Sequence, residues 1–218
     1  MTLPLYFRSG EEKTLANFDF YDIASGTGYI LFYAGKAGNS WTPKLTTYKY
    51  ITDTSVFTSI YAYTEGTTTN AAATKVIDLD FDALVSRPLT LRGVAVLSVP
   101  TASNNGEASN CICYVVVRIR KWNGSTETEI ALSDDSAKIG GAAGLTYLAK
   151  SVTIVVPETI INAGEYLRVT IEGWLASTSA TNGRMRIAHN PMGTVADWDA
   201  TGLVTSQLTI PIPIKIEL

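Results

Sequence analysis

The chain has 218 residues and a formal net charge of −3, with 46% apolar and only 17% charged side chains. That balance excludes disorder driven by charge and is long enough to bury a sizeable core. An isoelectric point of about 5.2 and the lack of any Lys/Arg run exclude the electrostatic footprint of a nucleic-acid partner.

The opening segment, MTLPLYFRSGEEK, lacks the charged n-region and long apolar h-region of an export signal, and no apolar run approaches the ~18 residues of a spanning helix. The expectation is a chain that is not exported and has no membrane partner. Helical periodicity is confined to two short stretches, Glu11–Asn17 and Asp80–Val85. Residues 1–45 are rich in aromatics and read as an N-terminal arm with one short strand at Tyr29–Tyr33. Tyr29, Phe32, Tyr33 and Trp41 are its candidate partner contacts. Ser25-Gly26-Thr27-Gly28 lacks the lysine and the glycine spacing of a phosphate cradle.

Residues 46–218 read as one domain of strands separated by turn chemistry. Alternation predicts strands at Thr47–Ile51, Val56–Tyr63, Lys75–Phe81 and Leu89–Val99. Asp78, Asp80 and Asp82 would then share one face, where three carboxylates repel unless a cation or solvent screens them. A calcium loop would need Gly and Glu where Ala83 and Leu89 stand, so the favoured reading is a solvated face.

The clearest hairpin is CICYVVVRIRKW-NG-STETEIAL, with Asn123-Gly124 as a two-residue turn. Cys113, Val115, Val117 and Ile119 fall on one face, which predicts Cys111 and Cys113 as buried thiols side by side rather than a disulfide. A second strand pair is expected in YLAKSVTIVVPETIINAGEYLRVTIEGW: Pro157 ends the first strand, Asn162-Ala163-Gly164-Glu165 makes the turn, and YLRVTIEGW returns. Arg184–His189 and Ser206–Glu217 complete about eight to nine strands. His189, the only histidine, has no nucleophile motif near it and reads as a structural, hydrogen-bonded side chain.

The last strand, LTIPIPIKIEL, alternates strictly yet holds Pro211 and Pro213. Proline has no N–H, so both strip donors from the same side of the strand. The expectation is an edge strand blocked against further pairing, with both prolines as partner-contact candidates. Trp122 and Trp198 are candidates for stacking on a sugar. For a glycosidase, Glu158, Glu165, Glu172, Asp197 and Asp199 are available, but spacing selects no pair.

The succession DLDFDALVSRPLTLRG, VVVRIRKWNGSTETEI, INAGEYLRVTIEGW and RIAHNP, spanning Asp78–Pro191, resembles jelly-roll structural proteins of tailed phages and related viruses. The resemblance implies an all-β, antiparallel jelly-roll-like sandwich that decorates or builds a capsid or an appendage. It implies a virion protein assembled in the host cytoplasm, with copies of itself (a trimer or larger) and other virion proteins as partners. It carries over no catalytic residue, metal or cofactor. The expected function is therefore a non-enzymatic structural subunit. The alternative is a carbohydrate-binding module or adhesin domain that contacts a host glycan.

Overall fold

The computed structural model describes residues 16–17, 26–35, 44–46, 63–105, 111–141, 144–177, 183–189 and 208–216. Among these lie thirteen strands and no helix. They are β1 (Ala16–Asn17), β2 (Thr27–Gly35), β3 (Lys44–Thr46), β4 (Tyr63–Thr68), β5 (Thr74–Leu84), β6 (Leu89–Asn105) and β7 (Cys111–Trp122). The rest are β8 (Glu127–Leu132), β9 (Ile139–Gly141), β10 (Gly144–Ile161), β11 (Tyr166–Ser177), β12 (Gly183–Ala188) and β13 (Leu208–Lys215).

Two antiparallel sheets form a sandwich. In the first, long β6 pairs with β10 along one side and with β12 and β13 along the other. The sheet continues from β12 to β4, and from β13 to β2, β1 and β3. In the second, β11 lies between β5 and β7, and β8 and β9 share the far side of β7. One parallel bridge, Lys44 to Asp82, links the two sheets through β3 and β5.

The core lies between the sheets and is built from alternate residues of each strand. Leu91, Ala95, Leu97, Val99, Val152, Ile154, Leu208, Ile210 and Ile212 enter it from the first sheet. Leu79, Phe81, Val115, Val117, Ile119, Leu167, Val169 and Ile171 enter from the second. Cys111 and Cys113 are free and buried in this core. β2 lies within the 45 residues expected as an arm. It is hydrogen-bonded to β13 along Thr27–Lys215 to Ala34–Leu208, and Phe32 and Ala34 enter the core.

Four local expectations are corrected. Asp80–Val85 is not helical: Asp80 to Leu84 belong to β5, where Leu79 and Phe81 alternate into the core. The turn after Trp122 holds four residues, because Trp122 pairs with Glu127. The Asn123 side chain accepts the backbone N–H groups of Ser125 and Thr126, capping the longer loop. Pro157 does not end its strand: β10 continues to Ile161 through a bulge between Val156 and Thr159. The bulge flips the phase, so Ile161 is buried and Ile160 exposed. β10 and β11 do not pair across their turn but cross from one sheet to the other, held by Gly164 N–H to Val85 O and Val85 N–H to Glu165 O. The expected strands at Thr47–Ile51 and over most of Val56–Tyr63 lie outside the described residues.

Candidate functional site

The two prolines of β13 reveal how the first sheet is built. β13 is not an edge strand, which corrects the expectation: it lies between β2 and β6. Its pairing with β2 is continuous, whereas pairing with β6 is reduced to Thr209–Ser98 and Ile214–Leu91, with a register shift between them. The missing donors therefore face β6. Gly93 stands against Pro213 with φ at 134°, and a Cβ there would lie 3.0 Å from the proline Cβ. Tyr29, opposite Pro213 on β2, reaches across β13, and its hydroxyl donates to Val94 O at 2.8 Å. A side chain thus supplies a donor that the proline backbone cannot.

That arrangement creates an apolar outer face. Because Ile210 and Ile212 point into the core, Thr209, Pro211 and Pro213 point outward with their partners Tyr33, Leu31 and Tyr29. On β6 and β10 the outward residues include Val94, Val96 and Val155, exposed by 45%, 57% and 67%, with the uncharged Ser98, Ser151 and Thr153 exposed beside them. Val155 pairs directly with Val94. Charge stands beside these valines at the rim, where Glu158 accepts from Arg92 and Lys215, and farther along the sheet, where Arg186 of β12 pairs with Glu65 of β4.

The outer face of the second sheet has the opposite character. Arg168 grips both oxygens of Asp82, each at 2.7 Å, and also reaches Glu127 at 2.6 Å. Arg120 bonds Glu127 and Thr170, and the Thr170 hydroxyl donates to Asp80 at 2.6 Å. Arg118 bridges Glu129 and Glu172, and Lys75 bridges Asp78 and Glu172. Glu172 is buried, and burial alone would raise its pKa. Hydrogen bonds from Trp174 Nε1 and Arg118, with the charges of Arg118 and Lys75, outweigh this and hold its carboxyl below the usual range. The three aspartates of β5 thus find cations or a hydroxyl on this sheet. No group of three or more potential metal ligands forms among the described residues.

The predicted site residues separate cleanly. Tyr29, Pro211 and Pro213 come together on this side of the sheet, but Pro213 is buried there, as is Tyr33, which leaves Tyr29 and Pro211 partly exposed. Phe32 points the other way, into the core. Trp41 and Trp198 lie outside the described residues, as do Asp197 and Asp199. Trp122 lies on the charged face, where Arg168 stacks 4.5 Å from its ring centre and Tyr166 packs at 5.0 Å. Trp174 stacks nearly parallel to Tyr114. His189 is buried, with Nε2 2.9 Å from the Thr64 hydroxyl. Sequence reading missed Lys150, which enters the core from β10 and donates to the carbonyls of Cys113 and Ala137, each at 3.0 Å. Burial pushes its pKa down. Its only signal was a lysine in phase with Val152 and Ile154.

No family model and no curated protein matches the chain. Among solved structures it is similar to an aminopeptidase from the marine sediment archaeon Thaumarchaeota archaeon, with TM-score 0.52 and 10% identity over 88% of this chain and 37% of that one. A CocE/NonD family hydrolase from Staphylococcus aureus gives TM-score 0.44 and 12% identity over 86% of this chain and 36% of that one. Infectious bursal disease virus, Gt strain, gives TM-score 0.30 and 7% identity over 71% of this chain and 36% of that one. The chain spans little more than a third of each of these proteins. The first likeness shows a shared fold; the other two are too distant to carry an argument. The expectation of a non-enzyme is corrected by this finding. The sandwich shares its fold with part of an aminopeptidase chain, and its form gives no ground for setting the protein apart from enzymes.

Proposed function

We propose that this chain is an assembly subunit of a virus particle, a β-sandwich that binds copies of itself through the apolar outer face of its first sheet. The observation that carries this reading is the run of exposed Val94, Val96 and Val155 beside Pro211, Pro213 and Tyr29. A contiguous apolar face rimmed by charge is the usual mark of a protein contact. The virion setting, with assembly in the host cytoplasm and other virion proteins as neighbours, draws on the sequence resemblance over Asp78–Pro191. A glycan-binding reading has less support, because Arg168 and Tyr166 already pack on Trp122, and Trp174 is stacked on Tyr114.

Light scattering tests the proposal with the full chain and its Val96→Lys variant. Val96 is exposed, so the variant should keep its unfolding midpoint, within about 0.5 kcal/mol. The expected result is a wild-type species heavier than one chain whose mass falls in the variant. A wild-type mass of one chain at tens of micromolar, or an unchanged variant mass, would overturn it.

A further inference from the structure

Among the described residues, β10 has one side without a strand partner. β10 pairs with β6 over most of its length, and no other described strand pairs with it. Two contacts fix which backbone groups are left over. The Thr101 hydroxyl donates to Leu148 O at 2.7 Å, so the carbonyl of Leu148 points toward β6. Val94 O is taken by Tyr29 on the opposite side of β6, so Val94 and its partner Val155 do not bond each other. Both observations give one phase. In a regular antiparallel strand the N–H and C=O of a residue point to the same side, alternating along the chain. Val152 and Ile154 bond to β6, and the N–H and C=O groups of Ser151, Thr153 and Val155 project from the open edge.

We infer that this edge pairs with the same edge of a second copy, antiparallel about Thr153, joining two first sheets into one. The inference rests on the assembly reading above and names its partner. An open row of donors and acceptors selects an extended strand as its occupant. The side chains select a copy of this chain. From Ser151 to Val156 the strand carries no charge, proline or bulge, the devices that block natural edges. A two-fold axis at Thr153 sets Ser151 against Val155, Val152 against Ile154, and Thr153 against itself, so no like charges oppose. Lys150, the nearest cation, is turned inward and bonded to Cys113 O and Ala137 O. Pro157, which has no N–H to offer, marks one limit of the pairing. The edge contact builds a pair, and the apolar face joins pairs.

The test uses the full chain with Thr153→Pro, alone and combined with Val96→Lys. Thr153 offers its N–H to the open edge rather than to β6, so proline there leaves the β10–β6 ladder intact. Continued slow hydrogen exchange at the Val152 and Ile154 amides verifies that it does. Val96→Lys alone should give a two-chain species, and the double variant a single chain, with pair dissociation raised about tenfold or more. In Val96→Lys, exchange at the Ser151, Thr153 and Val155 amides should slow as concentration rises, while Val152 and Ile154 stay constant. If Val96→Lys is already a single chain, edge pairing is overturned while the apolar-face reading stands. If Val96→Lys matches wild type but Thr153→Pro lowers the mass, the face reading fails and edge pairing stands. A two-chain double variant, or edge amides indifferent to concentration, overturns the edge inference.

Discussion

The two outer faces of this sandwich solve the same problem in opposite ways. On the β5–β11–β7–β8 face every described arginine and carboxylate of the ladder has a partner on its own sheet, and the aromatic rings pack on each other or on Arg168. On the β10–β6–β13–β2 face three valines stand open beside two prolines. A surface that satisfies its own charges has little to gain from a partner, since pairing elsewhere would first break bonds it already has. An apolar surface gains from any partner that removes it from water. The difference teaches that the low charge of the chain is unevenly placed: one face carries a connected ladder of ion pairs, while on the other sheet the charges stand off the valines, in Arg92, Glu158 and Lys215 at the rim and Arg186 with Glu65 on β12 and β4.

The comparison can be broken hardest at β2. Removing residues 1–45 deletes the strand that pairs with all of β13 and takes Phe32 and Ala34 from the core. The expected outcome is loss of cooperative thermal unfolding, followed by circular dichroism, rather than release of a dispensable arm. A truncated chain that melts within a few degrees of the full chain would refute this.

A smaller effect sharpens the charged side. Glu172→Ala leaves Arg118, Lys75 and the Trp174 N–H facing a removed carboxylate. The loss should be about 2–3 kcal/mol in urea unfolding at pH 7, below the value for a fully buried pair because Arg118 and Lys75 are partly exposed. The sign with pH follows from the carboxyl being held below its usual range. Its contribution is full above the ordinary glutamate value of about 4.3 and is lost as pH falls through the lower, folded value. Glu172→Gln should therefore flatten the acid side of the stability profile; an unchanged slope would show that other groups set it. Least of all, Tyr29→Phe removes the hydroxyl that serves Val94 O. About 0.5–1.5 kcal/mol should be lost in the same assay. No change would mean that water serves that carbonyl equally well.

Much of this was legible in local alternation. The phase of Cys113, Val115, Val117 and Ile119 gave the buried thiols, and the spacing of Pro211 and Pro213 gave a strand with one donor-poor side. What alternation does not encode is which strand lies alongside. The donor-poor side of β13 was expected to face solvent, but it faces β6, because Tyr29 and Gly93, far away in sequence, accommodate it. The partner of β10 was missed for the same reason: a short turn to β11 suggested a hairpin, while the ladder runs to β6. Of the candidate contacts, Tyr29, Pro211 and Pro213 could be grouped only once β2 and β13 were paired. Phe32 was misplaced because an arm has no inward face, whereas a strand does.

Cys111 and Cys113 are the only thiols in the chain, and both lie in the core with no disulfide. Burial, reinforced by the neighbouring Cys113, pushes the Cys111 thiol up to about 11. At neutral pH it is protonated and shielded, so a thiol reagent can react there only when the sheets part. The rate of labelling therefore clocks the opening of the sandwich. The protein carries a built-in reporter of its own breathing, which needs no added probe.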